Sequence, residues 1–330
     1  MKLLKTTGIA TAALIASASI AAAETNLRFS DVLPEGNFMV DNARTFAEAV
    51  EKATDGEVTI TVNAAGSLGF KGPDQLAAVR DGLVDMADIN ISQQVGSNPM
   101  FGAEGVPFLV TSMDELKEYH TYLRPEFEKL FEQYNQKLIY MVPSPAQYVY
   151  LKEKIGNIDD FDGIPVRGAD KNTVDIISSI GMDGVVMPWG ELLPALASGR
   201  VDGVATSATS GVDGRFWEFL EYIYPTNHTW GSNAVTINMD VWNDLSEEDQ
   251  AAILDVAAEL EPAFWDVSRE ADEKSIKIME DNGMVLVPLS DELKAEIADK
   301  ATTVQSAFFE RVPDAKPYAD EFLATKSAQD

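Results

Sequence analysis

Leu27-Arg28-Phe29-Ser30 with the turn Pro34-Glu35-Gly36, and then Val58-Thr59-Ile60-Thr61-Val62, bracket a run in which Ala43, Phe46, Ala47, Val50 and Ala53 recur at three- and four-residue spacing. That spacing gathers the apolar residues on one face of a helix, and Gly56 follows as the residue that ends it. Val58, Ile60 and Val62 alternate with polar residues, so the last run is a strand with one buried face. Strand, helix and strand in that order form the unit of an α/β sheet with helices packed on it.

The junction from helix to strand recurs. Ala78-Val79-Arg80-Asp81-Gly82-Leu83-Val84-Asp85 is echoed by Ala195-Leu196-Ala197-Ser198-Gly199-Arg200-Val201-Asp202. In both, a helix ends at glycine and a short buried strand is expected, over 86–91 and over 204–208. Two copies far apart point to two lobes of similar build, although a turn common to many α/β proteins reads the same way. Ligands of open α/β sheets sit beyond the carboxyl ends of strands. That directs attention to Asn90-Ile91-Ser92 and to Thr206-Ser207.

Ser246, with Asp249 three residues on, caps a longer helix. Its apolar face carries Ile253, Val256, Ala257, Leu260, Phe264, Val267 and Ala271, and Pro262 inside it predicts a kink. One bent helix along both lobes and two helices within one lobe both satisfy the pattern.

Lys2 and Lys5, the apolar residues 8–20 and Ala21-Ala22-Ala23 make residues 1–23 a cleavable export signal. The apolar run is shorter than the roughly 20 residues that span a bilayer, and the chain has no cysteine to take a lipid. A mature chain starting near Glu24 and not itself membrane-embedded is expected in the periplasm. Without disulfides its stability must come from core burial. Removing Lys2 and Lys5 leaves 23 basic residues against 54 acidic ones, a net charge of −31. Such a surface repels nucleic acid and anionic membranes, and an anionic ligand needs a locally positive pocket. A saline habitat would screen the self-repulsion.

Enzyme chemistry finds little foothold. His120 and His228 are the only histidines, no Gly-x-Ser-x-Gly elbow occurs, and Gly66-Ser67-Leu68-Gly69 has the wrong spacing for one. Phosphate loops and His/Cys metal clusters are missing, so no cofactor or metal is expected. Asp159-Asp160-Phe161-Asp162-Gly163 lacks the spacing of a calcium loop and reads as a solvated turn. A periplasmic hydrolase or lyase remains an alternative resting on architecture alone.

Recognition chemistry is better represented. Gly163-Ile164-Pro165-Val166-Arg167 ends a strand-like run in a lone arginine, whose planar fork holds a carboxylate by two parallel bonds. A surface arginine paired with a nearby Asp is the competing reading. Trp189, Trp230, Phe70, Tyr148 and Tyr150 fall near strand ends or turns, where aromatic side chains wall pockets or simply pack in the core. Trp217, Trp242 and Trp265 are assigned to helices and core.

Phe161-Asp162-Gly163-Ile164-Pro165-Val166-Arg167, Pro188-Trp189-Gly190-Glu191-Leu192, Ala195-Leu196 and Gly199-Arg200-Val201-Asp202-Gly203 form one set of strings. With Gly66-Ser67-Leu68-Gly69, Gly82-Leu83-Val84-Asp85 and Val106-Pro107-Phe108-Leu109, the mature chain resembles the extracytoplasmic solute receptors of tripartite ATP-independent periplasmic (TRAP) transporters, the DctP-like family. The resemblance implies an α/β, two-lobe periplasmic binding protein type II-like fold with a long kinked helix spanning both lobes. The lobes are expected as 24–146 plus about 231–265, and 147–230 plus about 266–330. It also implies that Arg167 grips a ligand carboxylate and that Trp189 is a pocket aromatic. By position it brings Phe70, Asn90, Gln147, Tyr148, Thr206, Trp230 and Asn233 to the ligand.

Gln147 stands where many members carry a second arginine, and Thr206 where an asparagine is common. One fewer cation suits a monocarboxylate, and extra tryptophan suits an aromatic or cyclic acid. The expected function is capture of such an acid by hinge closure and delivery to the membrane subunits of a TRAP transporter. An amine, amino alcohol or zwitterion caged by aromatics, with Asp31 or Glu191 as counter-charge, is the alternative.

Overall fold

The protein is described by a computed structural model over residues 24–329; the expected export signal lies outside the described residues. Its strands are β1 (Thr25–Ser30), β2 (Val58–Asn63), β3 (Met86–Asn90), β4 (Gln136–Ser144), β5 (Gln147–Leu151), β6 (Pro165–Gly168), β7 (Asp183–Val186), β8 (Gly203–Ser207), β9 (Tyr222–Tyr224), β10 (Gly231–Asn238) and β11 (Val285–Leu286). They make two sheets, in the orders β2-β1-β3-β10-β4 and β11-β9-β5-β8-β6-β7. The chain passes from the first sheet to the second between β4 and β5 and returns at β10, which pairs antiparallel with both β3 and β4.

The opening strand–helix–strand unit forms as the spacing dictates. The helix Phe38–Ala53 buries Ala43, Phe46, Ala47 and Val50, and β1 and β2 lie parallel in register from Thr25 with Val58. Ala53 is exposed, because the buried place at the helix end is taken by Thr54, which bonds back to Val50 and across to Val58. The echoed junctions share one geometry. Gly82 and Gly199 have φ of +66° and +69°, a left-handed conformation that glycine adopts without a side-chain clash. Leu83 N–H and Arg200 N–H each donate five residues back, to Ala78 and Ala195, at 2.9 Å. The strands that follow, β3 and β8, occupy the interiors of their sheets.

The Ser246 cap starts a single helix, Glu247–Asp281, that passes through Pro262. Its 35 residues extend about 52 Å at 1.5 Å per residue. Ile253, Ala257 and Phe264 pack into the first lobe's core. Further along, Trp265 Nε1 and Ser268 Oγ donate to the Met141 and Pro143 carbonyls of β4, and Met279 reaches the second lobe beside Gly211. Those inward residues displace Val267, expected on the apolar face, to the exposed side.

The C-terminal segment corrects one expectation. Helix Asp291–Arg311 packs on the second lobe through Leu293, Ile297 and Ala301. The last helix, Lys316–Gln329, instead crosses back to helix Met113–Gln133 of the first lobe. The Phe322 ring lies tilted 5.1 Å from Tyr119, and Tyr122 and Tyr318 hydroxyls reach Thr325 and Glu126. A buried aromatic face on the earlier helix supplies the attraction.

Candidate ligand-binding cleft

Strand ends and helix starts of both lobes converge on a cavity of about 110 Å³. Arg167, Trp189, Asn90, Gln147, Thr206, Trp230 and Asn233 all line it. Arg167 stands on β6 with only 2 % of its surface exposed, and its Nε donates to the Met187 carbonyl at 2.9 Å. No carboxylate lies within ion-pair distance of it among the described residues. Burial pushes its guanidinium down to about 10, which the charge of Asp170 partly opposes. The group stays a cation at neutral pH, buried and with its outer nitrogens uncommitted.

Trp189 opens helix Trp189–Ser198 and lies tilted 6.4 Å from Phe216. Trp230 precedes β10, and its buried indole N–H has no partner in the protein. Gln147 opens β5 and donates to the Pro145 carbonyl at 2.9 Å. Asn90 at the end of β3 stands opposite Asn233 of β10, and their amides meet at 3.2 Å.

Two expected residues lie elsewhere. Successive strand residues point to opposite faces, so Gln147 on the cleft sends Tyr148 away, and its hydroxyl donates to Asp272 of the long helix at 2.7 Å. Phe70 follows Gly69, which has a φ of +88°. Its ring lines an adjoining groove with Lys71, Pro188 and Trp189 instead of the main cavity.

The two acids considered as counter-charges for an amine also lie off the cavity lining. Asp31 is fully buried outside the cavity lining and accepts from Leu33 N–H at 2.8 Å. Glu191 is exposed and paired with Lys71 at 2.7 Å.

Several cleft residues escaped the sequence reading. Asn37 caps helix Phe38–Ala53 and Asp170 caps helix Lys171–Ser179, each by accepting backbone N–H groups, and both line the cavity. With Trp189 at the start of its own helix, three helix N-termini face the cleft. Their partial positive charge favours an anion. The signal was present in residue type alone, since Asn and Asp are preferred N-cap residues.

Bonds across the cleft show the two lobes closed on one another. Asn37 Nδ2 donates to Asp213 at 2.6 Å, Lys71 pairs with Glu191, and Ser92 Oγ lies 2.9 Å from Asp170 Oδ2. Behind the hinge, Asn172 donates to the Gly102 carbonyl at 3.0 Å. Burial raises Asp213 to about 6 against the pull of Asn37, and lowers His228, near the crossing into β10, to about 4.

The Asp160 turn satisfies itself. Its carboxylate accepts from Gly156 and Asn157 N–H groups, which lower its pKa. Among the described residues no cluster of acids and histidines could hold a metal, and no helix is long and apolar enough to cross a membrane.

Comparison with known proteins agrees with this architecture. The family "bacterial extracellular solute-binding protein, family 7" matches residues 29–311. The ectoine-binding periplasmic protein TeaA of Halomonas elongata is 26 % identical over 99 % of this chain and 97 % of its own length. DctP7 of Bordetella pertussis, a receptor binding pyroglutamic acid, superposes with a TM-score of 0.87 at 26 % identity, covering 90 % of this chain and 99 % of that one. A marine metagenome TRAP solute-binding protein specific for pyroglutamate gives 0.87 at 25 % identity, over 92 % and 99 %. The two-lobe α/β architecture fits that likeness: the chain belongs to family 7 of the bacterial extracellular solute-binding proteins, the extracytoplasmic receptors of TRAP transporters, and is a binding protein, not an enzyme.

Proposed function

We propose that this receptor captures a small cyclic monocarboxylate in the periplasm and delivers it to the membrane subunits of a TRAP transporter. Arg167 carries the reading: a buried cation with no carboxylate within ion-pair distance among the described residues calls for an external anion. Three helix N-termini reinforce it. A single guanidinium suits one carboxylate, and the small cavity suits a compact ring held between Trp189 and Trp230. Asn90, Asn233, Gln147 and Thr206 supply polar contacts around that ring.

Asp31 off the cavity lining and Glu191 paired with Lys71 argue against a simple amine. The relatives' ligands name the first compounds to try, L-pyroglutamate and then ectoine. Asp170 beside Arg167 gives the zwitterionic ectoine a second reading, weakened because both Asp170 oxygens already accept protein donors.

Closure turns about the crossings at 144–147, 229–231 and 312–315 and along the long helix, which tie the lobes at four places. A thermal-shift screen tests the ligand class. A ligand at a hundred times its Kd stabilises by about 2.7 kcal/mol, so acids should raise Tm in the wild type and not in Arg167→Ala. A shift from amines alone, or one that survives Arg167→Ala, would end the reading.

A further inference from the structure

Asp170, Ser92, Asn90, Asn233 and Asp88 form one hydrogen-bonded row from the second lobe into the core of the first. Ser92 Oγ lies 2.9 Å from Asp170 Oδ2 and 2.8 Å from the Asn90 amide. The Asn90 and Asn233 amides meet at 3.2 Å, and Asn233 meets Asp88 Oδ1. Strand geometry builds the row. Asp88 and Asn90 are two apart on β3 and share a face, and Asn233 on β10 stands opposite Asn90.

The row is one hydrogen short if both acids are ionised. Asn233 then donates to Asp88 and Asn90 to Asn233, which leaves the Asn90 oxygen facing Ser92. The single hydroxyl hydrogen of Ser92 must serve both that oxygen and Asp170. An amide's oxygen and nitrogen are told apart only by their partners. Turning both amides over completes the row, provided Asp88 brings a proton. Asp88 then donates to the Asn233 oxygen, Asn233 N–H to the Asn90 oxygen, Asn90 N–H to Ser92, and the Ser92 hydroxyl to Asp170. Ser144, 3.5 Å from Asn233, can donate or accept and suits either arrangement. A proton on Asp170 is the other solution. However, Asp170 accepts from the Thr173 N–H at 2.9 Å and the Thr173 hydroxyl at 3.0 Å beside Arg167, which makes that end an acceptor.

We propose that Asp88 carries a proton in the closed receptor, that this proton sets the direction of the whole row, and that closing on a ligand takes one up. When the lobes part, Ser92 leaves Asp170 and donates to Asn90, and the row is complete with Asp88 ionised. The surroundings agree. With Asn233 donating to it, as in the ionised row, burial raises Asp88 to about 7 against that bond; turning the amides over removes the opposing donor and pushes the acid higher. Asp31 from β1 is raised by burial and by Asp88, with Glu35 raising and Arg44 lowering it from the loop and the helix beyond. Tyr140 on β4 faces both acids, and its hydroxyl is pushed up by burial and by their charge, with a smaller push from Glu261. The proposal rests on the cleft being the site that closes on a solute.

Titration calorimetry of the mature chain with L-pyroglutamate, in buffers of different ionisation enthalpy from pH 6 to 8.5, counts the protons. The expected result is uptake approaching one proton per ligand above pH 7, with affinity falling by up to about tenfold per pH unit there. Asp88→Asn, whose amide donates as the protonated acid does, should bind without uptake and with one affinity at both pH extremes. Ser92→Ala, which cuts the row between the lobes, should also abolish uptake. Arg167 near 10 and His228 near 4 lie outside this window, while Asp213 and Asp272 near 6 touch only its lower edge.

Binding without uptake in the wild type, or uptake that survives Asp88→Asn, overturns the proposal. Uptake removed by Asp31→Asn alone overturns it too. If L-pyroglutamate and ectoine both fail to bind, the ligand reading falls, and the proton is read from ligand-free melting. Asp88's folded value exceeds its unfolded one, so wild-type Tm should drop relative to Asp88→Asn as pH rises from 4 to 7, then level off. Parallel melting profiles overturn the proposal.

Discussion

Arg167 and Met187 hold each other through the backbone: Arg167 Nε donates to the Met187 carbonyl at 2.9 Å, and Met187 N–H donates to the Gly168 carbonyl at 3.2 Å. The guanidinium is thereby pinned by the strand beside it, with one donor spent and the outer fork left for a ligand. Arg167→Ala should cost about 3 kcal/mol of binding, more than a hundredfold in Kd. Arg167→Lys keeps the charge but loses both the pin and the fork, so it should recover only part of the affinity. Calorimetry on the three proteins decides it.

Lys71 and Glu191 bridge the mouth of the cleft while exposed to water. Each holds the other charged, raising Lys71 and lowering Glu191, but solvent screens the pair. Lys71→Ala should therefore weaken ligand binding by less than about fivefold. The wild-type advantage should fade as salt is raised, whereas a deficit insensitive to salt would mean that Lys71 acts by packing.

Asp213 receives the Asn37 amide across the cleft, and burial raises it to about 6. A folded value above the unfolded one means that stability is lost as pH rises from about 4 to 6 and stays level beyond. Asp213→Asn keeps an acceptor for Asn37 without the buried charge. It should raise stability at pH 7 by up to about 3 kcal/mol and have little effect at pH 4, as read by Tm at the two pH values.

Gly203 lies between β5 and β6 with no room for a side chain. A Cβ there would meet Leu151 Cδ2 at 2.5 Å and the Tyr150 carbonyl at 2.7 Å. Gly203→Ala should destabilise the second lobe by about 1–3 kcal/mol, measured by denaturant unfolding. Gly190, with nothing within 4 Å of a Cβ, gives the contrasting control site.

Elements with strong periodicity were legible in the sequence. The opening strand–helix–strand unit and the echoed glycine junctions follow from local spacing, the strand-end rule pointed to Asn90 and Thr206, and the family resemblance pointed to Arg167, all of which line the cavity. Tyr148 failed because a one-residue step along a strand reverses the side chain, which the motif level does not resolve. Asn37 and Asp170 were missed although their capping signal was visible. The burial of Asp31 and Asp88 was not legible; Asp31 was singled out only as a possible counter-charge for an amine. Among 54 acidic residues, nothing in the sequence marks two for burial; only the β1–β3–β10 register brings them inside. The last helix was misplaced because its attachment depends on a distant aromatic face, not on chain order.

That return of the last helix has a mechanical meaning. The first described strand and the last described helix are both fastened to the same body, on one side of the moving joint. Fluorescent reporters attached near both ends would stay at a constant separation while the jaws swing. A reporter pair with one member on the Asn157–Asp160 turn of the opposite body would track every opening.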